Sequence, residues 1–344
     1  MTAAVLIGLG MVAEMHAAAI AATDGAVTLH GVLGRDRAKA QAFADRHGVA
    51  VVYSDFDRLL ADPGIDFAIL ATPPDARAGF AQALSAIGMP TLMEKPLERD
   101  LPRARNIVDT YRNANVPLGV VLQQRLRPEV AQVAGWVRDG ALGDLASVEL
   151  RVPWWRPQSY YDAPGRGSFE RDGGGVLITQ AIHAIDLMLE LCGPVSEVQA
   201  ITATSRLHRL EAEDFAAAGL VFASGAPGTL MASTTHFPGG GEELIMNGTQ
   251  ASAVLSATGA RLHAQDGTTL TSGADGQSGG GADPMAFSHA WHQGVISDFA
   301  AAVEEARPPK IPGAAALPAQ ALIDAIQRSA REGRRVAVEV SHGQ

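Results

Sequence analysis

The stretch AAVLIGLGMVA, residues 3 to 13, decides the fold. An apolar run of strand length breaks at Gly8 and Gly10 and continues into the Ala-rich EMHAAAIAA, a strand–turn–helix pattern. The spacing G-x-G-x-x-A assigns a task to each small residue. Gly8 permits the tight turn, Gly10 lets a pyrophosphate approach the backbone, and Ala13 keeps helix and strand close. With Met11 and Val12 in the turn, an anion would rest on free N–H groups at the helix N-terminus. Working outward, VTLHGVLG (27–34), VVY (51–53), DFAILAT (66–72), PTLME (90–94) and PLGVVLQ (117–123) are strand-like. Helical patterns at 11–23, 36–47, 54–62, 75–87 and 99–114 lie between them. That alternation predicts a Rossmann-type doubly wound parallel sheet, the context in which the glycine pattern reads as a dinucleotide site.

The end of the second strand selects the cofactor. An acid there would hydrogen-bond the ribose 2′-OH of NAD, yet the sequence reads LGRD, with Gly34 at that place and Arg35 next. A planar guanidinium suits a 2′-phosphate, so NADP is expected to be preferred over NAD. Asp36 is expected to cap the following helix.

After about residue 122 the rhythm changes, which divides the chain into a nucleotide-binding domain (1–122) and an α+β domain (123–344). A helix at 128–139 precedes ASVELRVPWW (146–155), and later runs at 197–205, 215–223, 228–237, 242–247, 252–257 and 261–265 predict a predominantly antiparallel open sheet. Ser224-Gly225, Asn247-Gly248 and Asp266-Gly267 supply turns. TSGADGQSGGGADP (271–284) reads as a mobile connector, and helices at 289–306 and 317–332 close the chain.

The bulk properties narrow the classes. At 344 residues about two domains are expected, and 47% hydrophobic residues supply their cores. A net charge of −10 without a cluster of Lys and Arg argues against nucleic acid. Cys192 is the only cysteine, so neither an intrachain disulfide nor a thiolate metal cage is expected, and a reducing compartment fits. With no leader-like N-terminus and no apolar run of ~18 residues, a cytoplasmic protein without a membrane anchor or metal is expected.

Two further stretches carry chemistry. The fifth strand runs into MEKP (93–96), which places Glu94, Lys95 and Pro96 beyond the carboxyl end of a parallel strand, where ligands gather. GGGVLITQAIHAID (173–186), wound as a helix, puts Thr179, His183 and Asp186 on one narrow stripe among Leu and Ile. Residues 176–189 offer no Lys or Arg, so that stripe suits a cleft better than bulk water. Between lies WWRPQSYYDAPGRG (154–167), with two Trp, two Tyr and two Arg in a chain of 5% aromatics. Aromatic faces pack on the C–H faces of sugars, which makes Arg156, Tyr161 and Arg166 substrate candidates, with Gln123 and Arg125 behind them. The arginine pair hints at an anionic or nucleotide-linked sugar.

Taken together, GLGMVA, ATPP (71–74), MEKP, QQRLRP (123–128) and GGGVLITQAIHAID resemble the glucose-fructose oxidoreductase / inositol dehydrogenase (Gfo/Idh/MocA) family across nearly the whole chain. The resemblance implies an NAD(P)-dependent oxidoreductase acting on sugars, cyclitols or related hydroxylated compounds, assembled as dimers or tetramers. It places the cofactor against Gly8, Gly10, Met11, Val12, Gly34, Arg35, Thr72, Pro73, Glu94 and Lys95. Lys95 falls on the family's catalytic lysine and His183 on its acid/base histidine, with Thr179 and Asp186 in support. In the family's D-x-G-x-H pattern this chain has Thr179 for the aspartate and Ala181 for the glycine. Histidine would take the hydroxyl proton while the lysine ammonium steadies the alkoxide. Without a carboxylate at 179, His183 is expected to titrate lower than it would beside one. Two other readings stay open: a non-catalytic NAD(P)-binding regulator, and a glycoside hydrolase that keeps NAD bound.

Overall fold

The computed structural model describes residues 1–273 and 288–339, which divide into two compact units. The first comprises Met1–Gln123 and Ser288–Ala316; the second takes the chain from Gln124 and again from Leu317.

In the first unit, β1 (Thr2–Ile7), β2 (Val27–Leu33), β3 (Val51–Val52), β4 (Phe67–Leu70), β5 (Thr91–Glu94) and β6 (Leu118–Val121) form a parallel sheet in the order β3-β2-β1-β4-β5-β6. The connections are α1 (Ala13–Ala21), α2 (Arg37–His47), α3 (Phe56–Leu60), α4 (Arg77–Ala86) and α5 (Leu101–Ala114). Helices on both faces explain why the strands read as continuous apolar runs: Val5, Leu6, Phe67, Ile69 and Leu92 are wholly buried. Asp36 caps α2 as expected, accepting from the N–H groups of Ala38 (3.0 Å) and Lys39 (3.1 Å). The strand order reverses between β1 and β4, so their carboxyl ends flank a crevice of the kind that binds nucleotides.

The second unit opens with α6 (Pro128–Arg138), β7 (Leu145–Pro153), the single-turn α7 (Gln158–Tyr161) and α8 (Ile182–Cys192). It continues through β8 (Val195–Ala203), β9 (Phe215–Phe222), β10 (Pro227–Ser233), β11 (Glu243–Gly248), β12 (Ala251–Ser256), β13 (Gly259–Ala264) and β14 (Thr269–Ser272). The chain then returns to the first unit with α9 (Ala290–Glu304) and ends in the second with α10 (Leu317–Glu332) and β15 (Val336–Ala337). The nine-stranded sheet runs β14-β13-β12-β11-β7-β10-β9-β8-β15 and is antiparallel except where β7 pairs with β10. Alternate residues of these strands, such as Val148, Leu150 and Val152, face Ile182, Ile185, Leu322 and Ile326 of the helices in one core. Among the described residues no helix is long and apolar enough to cross a membrane.

Two sequence expectations meet a different local structure. Residues 271 and 272 are strand, because β14 pairs antiparallel with β13 and sets Leu270 opposite Leu262; the mobile connector expected for the rest of 271–284 falls beyond Gly273, outside the described residues. Ser288–Ala316, assigned by sequence to a second domain running unbroken from 123 to 344, packs within the first unit, α9 lying against α1.

Candidate active site

The glycine turn is shaped as the spacing demands. Gly8 has φ +99°, and a Cβ there would lie 2.7 Å from the Thr72 backbone nitrogen, so only glycine fits between β1 and β4. A Cβ on Gly10 would meet nothing within 4 Å, which leaves open space at the turn. The N–H groups of Gly10, Met11 and Val12 make no hydrogen bond among the described residues and stand at the head of α1. At the end of β4 the Thr72 hydroxyl is buried without a partner among the described residues, and Pro73 leads into a short turn. These free donors, the open Gly10 and the orphaned hydroxyl fit a dinucleotide pyrophosphate. Beyond β2, a Cβ on Gly34 would touch Leu9 Cδ1 at 3.0 Å, while the exposed Arg35 guanidinium has no hydrogen bond or ion pair among the described residues.

Lys95 is held on both sides. The Arg77 guanidinium donates to the carbonyls of Glu94 and Pro96, the two residues flanking Lys95, and to Thr72 O through Nε (2.9 Å) and Nη2 (2.8 Å). One planar fork thus ties the ends of β4 and β5 together. Burial depresses the Arg77 pKa to about 10, against the pull of Glu94 and Glu98. The Glu94 carboxylate, expected at the cofactor, turns inward: Oε1 takes the His16 Nε2–H at 2.9 Å and Oε2 the Lys95 N–H at 3.2 Å. Burial alone would raise Glu94, but the His16 hydrogen bond and the charges of His16, His292 and Lys95 hold it down to about 2.

The GGG of the second unit is a crossing point. A Cβ on Gly175 would sit 1.7 Å from Glu213 O, whose carbonyl accepts Val176 N–H at 2.8 Å. The Glu213 side chain accepts from the N–H groups of Gly175 and Leu177, both at 3.2 Å, placing a carboxylate at the head of the helical run. Burial nonetheless leaves that carboxyl raised above its ordinary value.

The even stripe expected through Thr179 and His183 is interrupted, because Leu177–Ala181 winds as a wider π-helical turn before α8. That turn adds a residue to the circuit, a distortion frequent at functional sites. Thr179 Oγ1 donates to Gly175 O (2.6 Å) and contacts Gln180 Oε1. His183 is buried on the first turn of α8. Asp186 is not available to a ligand: Arg125 Nε (2.8 Å) and Nη2 (2.6 Å) grip its carboxylate, and Arg125 Nη1 reaches Glu190 at 2.6 Å. The sequence reading put Arg125 at the substrate; the structure spends its guanidinium on two carboxylates of α8.

The aromatic segment converges on Tyr160, a residue the sequence reading passed over. Its hydroxyl takes hydrogen bonds from Arg166 Nη1 (2.7 Å) and Gln180 Nε2 (3.2 Å), joining the segment to the helical run. Arg156 is fully buried, with its guanidinium 5.1 Å from the Trp154 ring and 5.6 Å from that of Tyr160. Tyr161 is also buried, its hydroxyl 2.7 Å from Thr234 Oγ1. Behind it His208 bridges Asp214 (2.7 Å) and the carbonyl of Arg156 (2.8 Å), fixing the segment's backbone. Gln123, following β6 in the first unit, keeps a buried Oε1 without a partner among the described residues. His16, Arg77, Glu213 and His208 carry no motif. Only His16 offers a signal, a polar residue at the head of an alanine run; the other three stand among charged neighbours that hide them.

The comparisons agree with this architecture. The model for the oxidoreductase family with an NAD-binding Rossmann fold matches residues 2–122, and that for the GFO/IDH/MocA C-terminal domain matches residues 130–254. The chain is 26% identical to a D-apiose dehydrogenase of Paraburkholderia graminis, over 96% of this chain and 88% of that one. It is 27% identical to a D-apiose dehydrogenase of Rhizobium rhizogenes, over 96% of both chains. Among solved structures, the WlbA dehydrogenase from Bordetella pertussis, in complex with NADH and UDP-GlcNAcA, superimposes with a TM-score of 0.84 at 27% identity, covering 99% of each chain. With both halves matched in sequence and in fold, the chain belongs to the Gfo/Idh/MocA family of oxidoreductases.

Proposed function

We propose that the protein is a nicotinamide-dependent dehydrogenase or reductase that moves hydride between its cofactor and a secondary alcohol or ketone of a sugar or sugar-derived substrate. The observation that carries the reading is Lys95, held at the carboxyl end of β5 beside a glycine turn fitted to a dinucleotide. The nicotinamide, when bound, accepts or supplies the hydride. Lys95 donates a hydrogen bond to the substrate oxygen and steadies its developing negative charge. His183 removes the hydroxyl proton in oxidation and returns it in reduction. Arg166, Tyr160 and Gln180, already linked through one hydroxyl, are the groups we assign to substrate hydroxyls. Arg156 and Tyr161, both buried, pack beside Tyr160 and support it. Support for a sugar comes from the D-apiose dehydrogenases, and for an anionic or nucleotide-linked one from WlbA, crystallised with UDP-GlcNAcA.

The uncommitted Arg35 and the absence of an acid at Gly34 support NADP over NAD, although the WlbA complex holds NADH. Ile201, Ala217 and Met231, cross-strand neighbours on the open face of the second sheet, support self-association as a dimer or tetramer. The lone Cys192 supports a reducing compartment such as the cytoplasm. The test is a substrate screen over neutral, acidic and nucleotide-linked sugars, following nicotinamide absorbance with both cofactors. Turnover of a sugar supports the reading; tight cofactor binding without turnover favours a regulator, and aglycone release without net NADPH favours a hydrolase.

A further inference from the structure

Three titratable groups are buried together inside the first unit, and the hydride chemistry makes no use of them. Glu94 closes β5, His16 lies on α1 and His292 comes from α9 on the returning segment. His16 Nε2 is 2.9 Å and His292 Nε2 3.8 Å from the same carboxylate oxygen, and the imidazoles meet edge to face at 5.4 Å. A carboxylate oxygen accepts, so His16 carries its proton on Nε2. Its Nδ1 is buried without a hydrogen-bond partner among the described residues.

The other carboxylate oxygen accepts the backbone N–H of Lys95, and Arg77 grips the carbonyls on either side. The Lys95 charge acts on both Glu94 and His292, so the ammonium lies within electrostatic reach of the buried anion. The groups facing Glu94 are His16 from α1, His292 from α9, Lys95 next to it in the chain and Arg77 from α4. Glu98 and His289 act at longer range, on Arg77 and His292 respectively. Burial, reinforced by His16, depresses His292 to about 3, so it is neutral at working pH and leaves Glu94 to His16 and Lys95.

We propose that Glu94 and His16 are positioning residues for Lys95: His16 fixes the Glu94 carboxylate as a buried anion, and that anion keeps Lys95 in place as an ammonium. The inference rests on the reading of Lys95 as the donor to the substrate oxygen. A lysine from which cofactor and substrate exclude water tends to lose its proton, and a neutral amine is a poor partner for an alkoxide. A fixed negative charge behind it reverses that tendency. His16 follows the glycine turn by a few residues, so the helix that presents the pyrophosphate donors also holds the carboxylate that accepts the Lys95 backbone N–H.

The chain contains three lysines, Lys39, Lys95 and Lys310, so isotope-labelled lysine side chains can be titrated individually by NMR in cofactor-free protein. Glu94→Gln shifts the Lys95 midpoint to lower pH and leaves Lys39 and Lys310 unmoved. His16→Leu shifts it in the same direction, and His16→Gln, which keeps an N–H donor, restores it towards wild type. A Lys95 midpoint unchanged in a folded Glu94→Gln variant overturns the proposal. Should Glu94→Gln fail to fold, equal midpoints in His16→Leu and His16→Gln overturn it equally. Failure of the proposed function would look different: the Lys95 shift would persist while no sugar is turned over.

Discussion

Arg125 holds Asp186 by two hydrogen bonds, 2.8 and 2.6 Å long, and both side chains are largely withdrawn from water. The aspartate of the polar stripe is therefore an anchor for α8, on which His183 rides. Burial raises the Asp186 carboxyl against the pull of Arg125, as for a pair whose desolvation is only partly recovered. Arg125→Leu strands the carboxylate and is expected to cost about 3 kcal/mol or more in urea unfolding. The double variant Arg125→Leu/Asp186→Leu should recover most of that loss. A single variant no less stable than the double would contradict this role.

Two glycines separate folding from binding. Gly175→Ala drives a methyl into the Glu213 carbonyl, 1.7 Å away, and is expected to lose about 3 kcal/mol or more or to give no soluble protein. Gly10→Ala meets no protein atom within 4 Å, so its melt should stay within about 0.5 kcal/mol of wild type. Its cofactor Kd should rise roughly tenfold, because the methyl occupies the space into which the pyrophosphate approaches. Melts and cofactor titrations of the two variants check both statements.

How much of this was legible beforehand differs by element. The glycine turn and the six parallel strands follow from local pattern, since a strand buried on both faces must be apolar throughout. The sequence does not assign residues 288–316 to the first unit, because a helix such as α9 announces a buried face without naming what covers it. The π-turn at Leu177–Ala181 escaped for a related reason: periodicity assumes a constant pitch. His16 stands inside the alanine run of α1, where nothing in the sequence marks Glu94, 78 positions away, as its partner. Arg125 and Asp186 each stand out in the sequence, but their pairing is a long-range contact that spacing does not encode.

Cofactor choice turns on Arg35. Arg35→Asp is expected to lower kcat/KM with NADPH by roughly tenfold to a hundredfold, the loss of one charge-assisted contact, and to improve use of NADH. Steady-state kinetics with both cofactors decide it. An unaltered NADPH-to-NADH ratio would place the 2′-phosphate elsewhere.

Acid should loosen the first unit in two stages. His292 is depressed from 6.5 to about 3 by burial, aided by the neighbouring His16, and Glu94 is held down from 4.5 to about 2. In both cases the unfolded chain binds protons first, so the stabilisation is whole above about pH 6.5. It is lost through the His292 window down to about 3 and the Glu94 window from 4.5 to about 2. His292→Leu should remove on the order of 2 kcal/mol of the stability lost between pH 6.5 and 4, leaving the Glu94 fall that sets in below pH 4.5. Urea melts across that range, giving the same slope for wild type and variant, would refute this.

The most direct measurement is the turnover number of Lys95→Ala and His183→Ala on a sugar that the wild type oxidises, with cofactor affinity measured alongside. Each variant is predicted to lose about 10²-fold or more in kcat while still binding the cofactor. A His183→Ala enzyme that turns over at the wild-type rate would contradict the account.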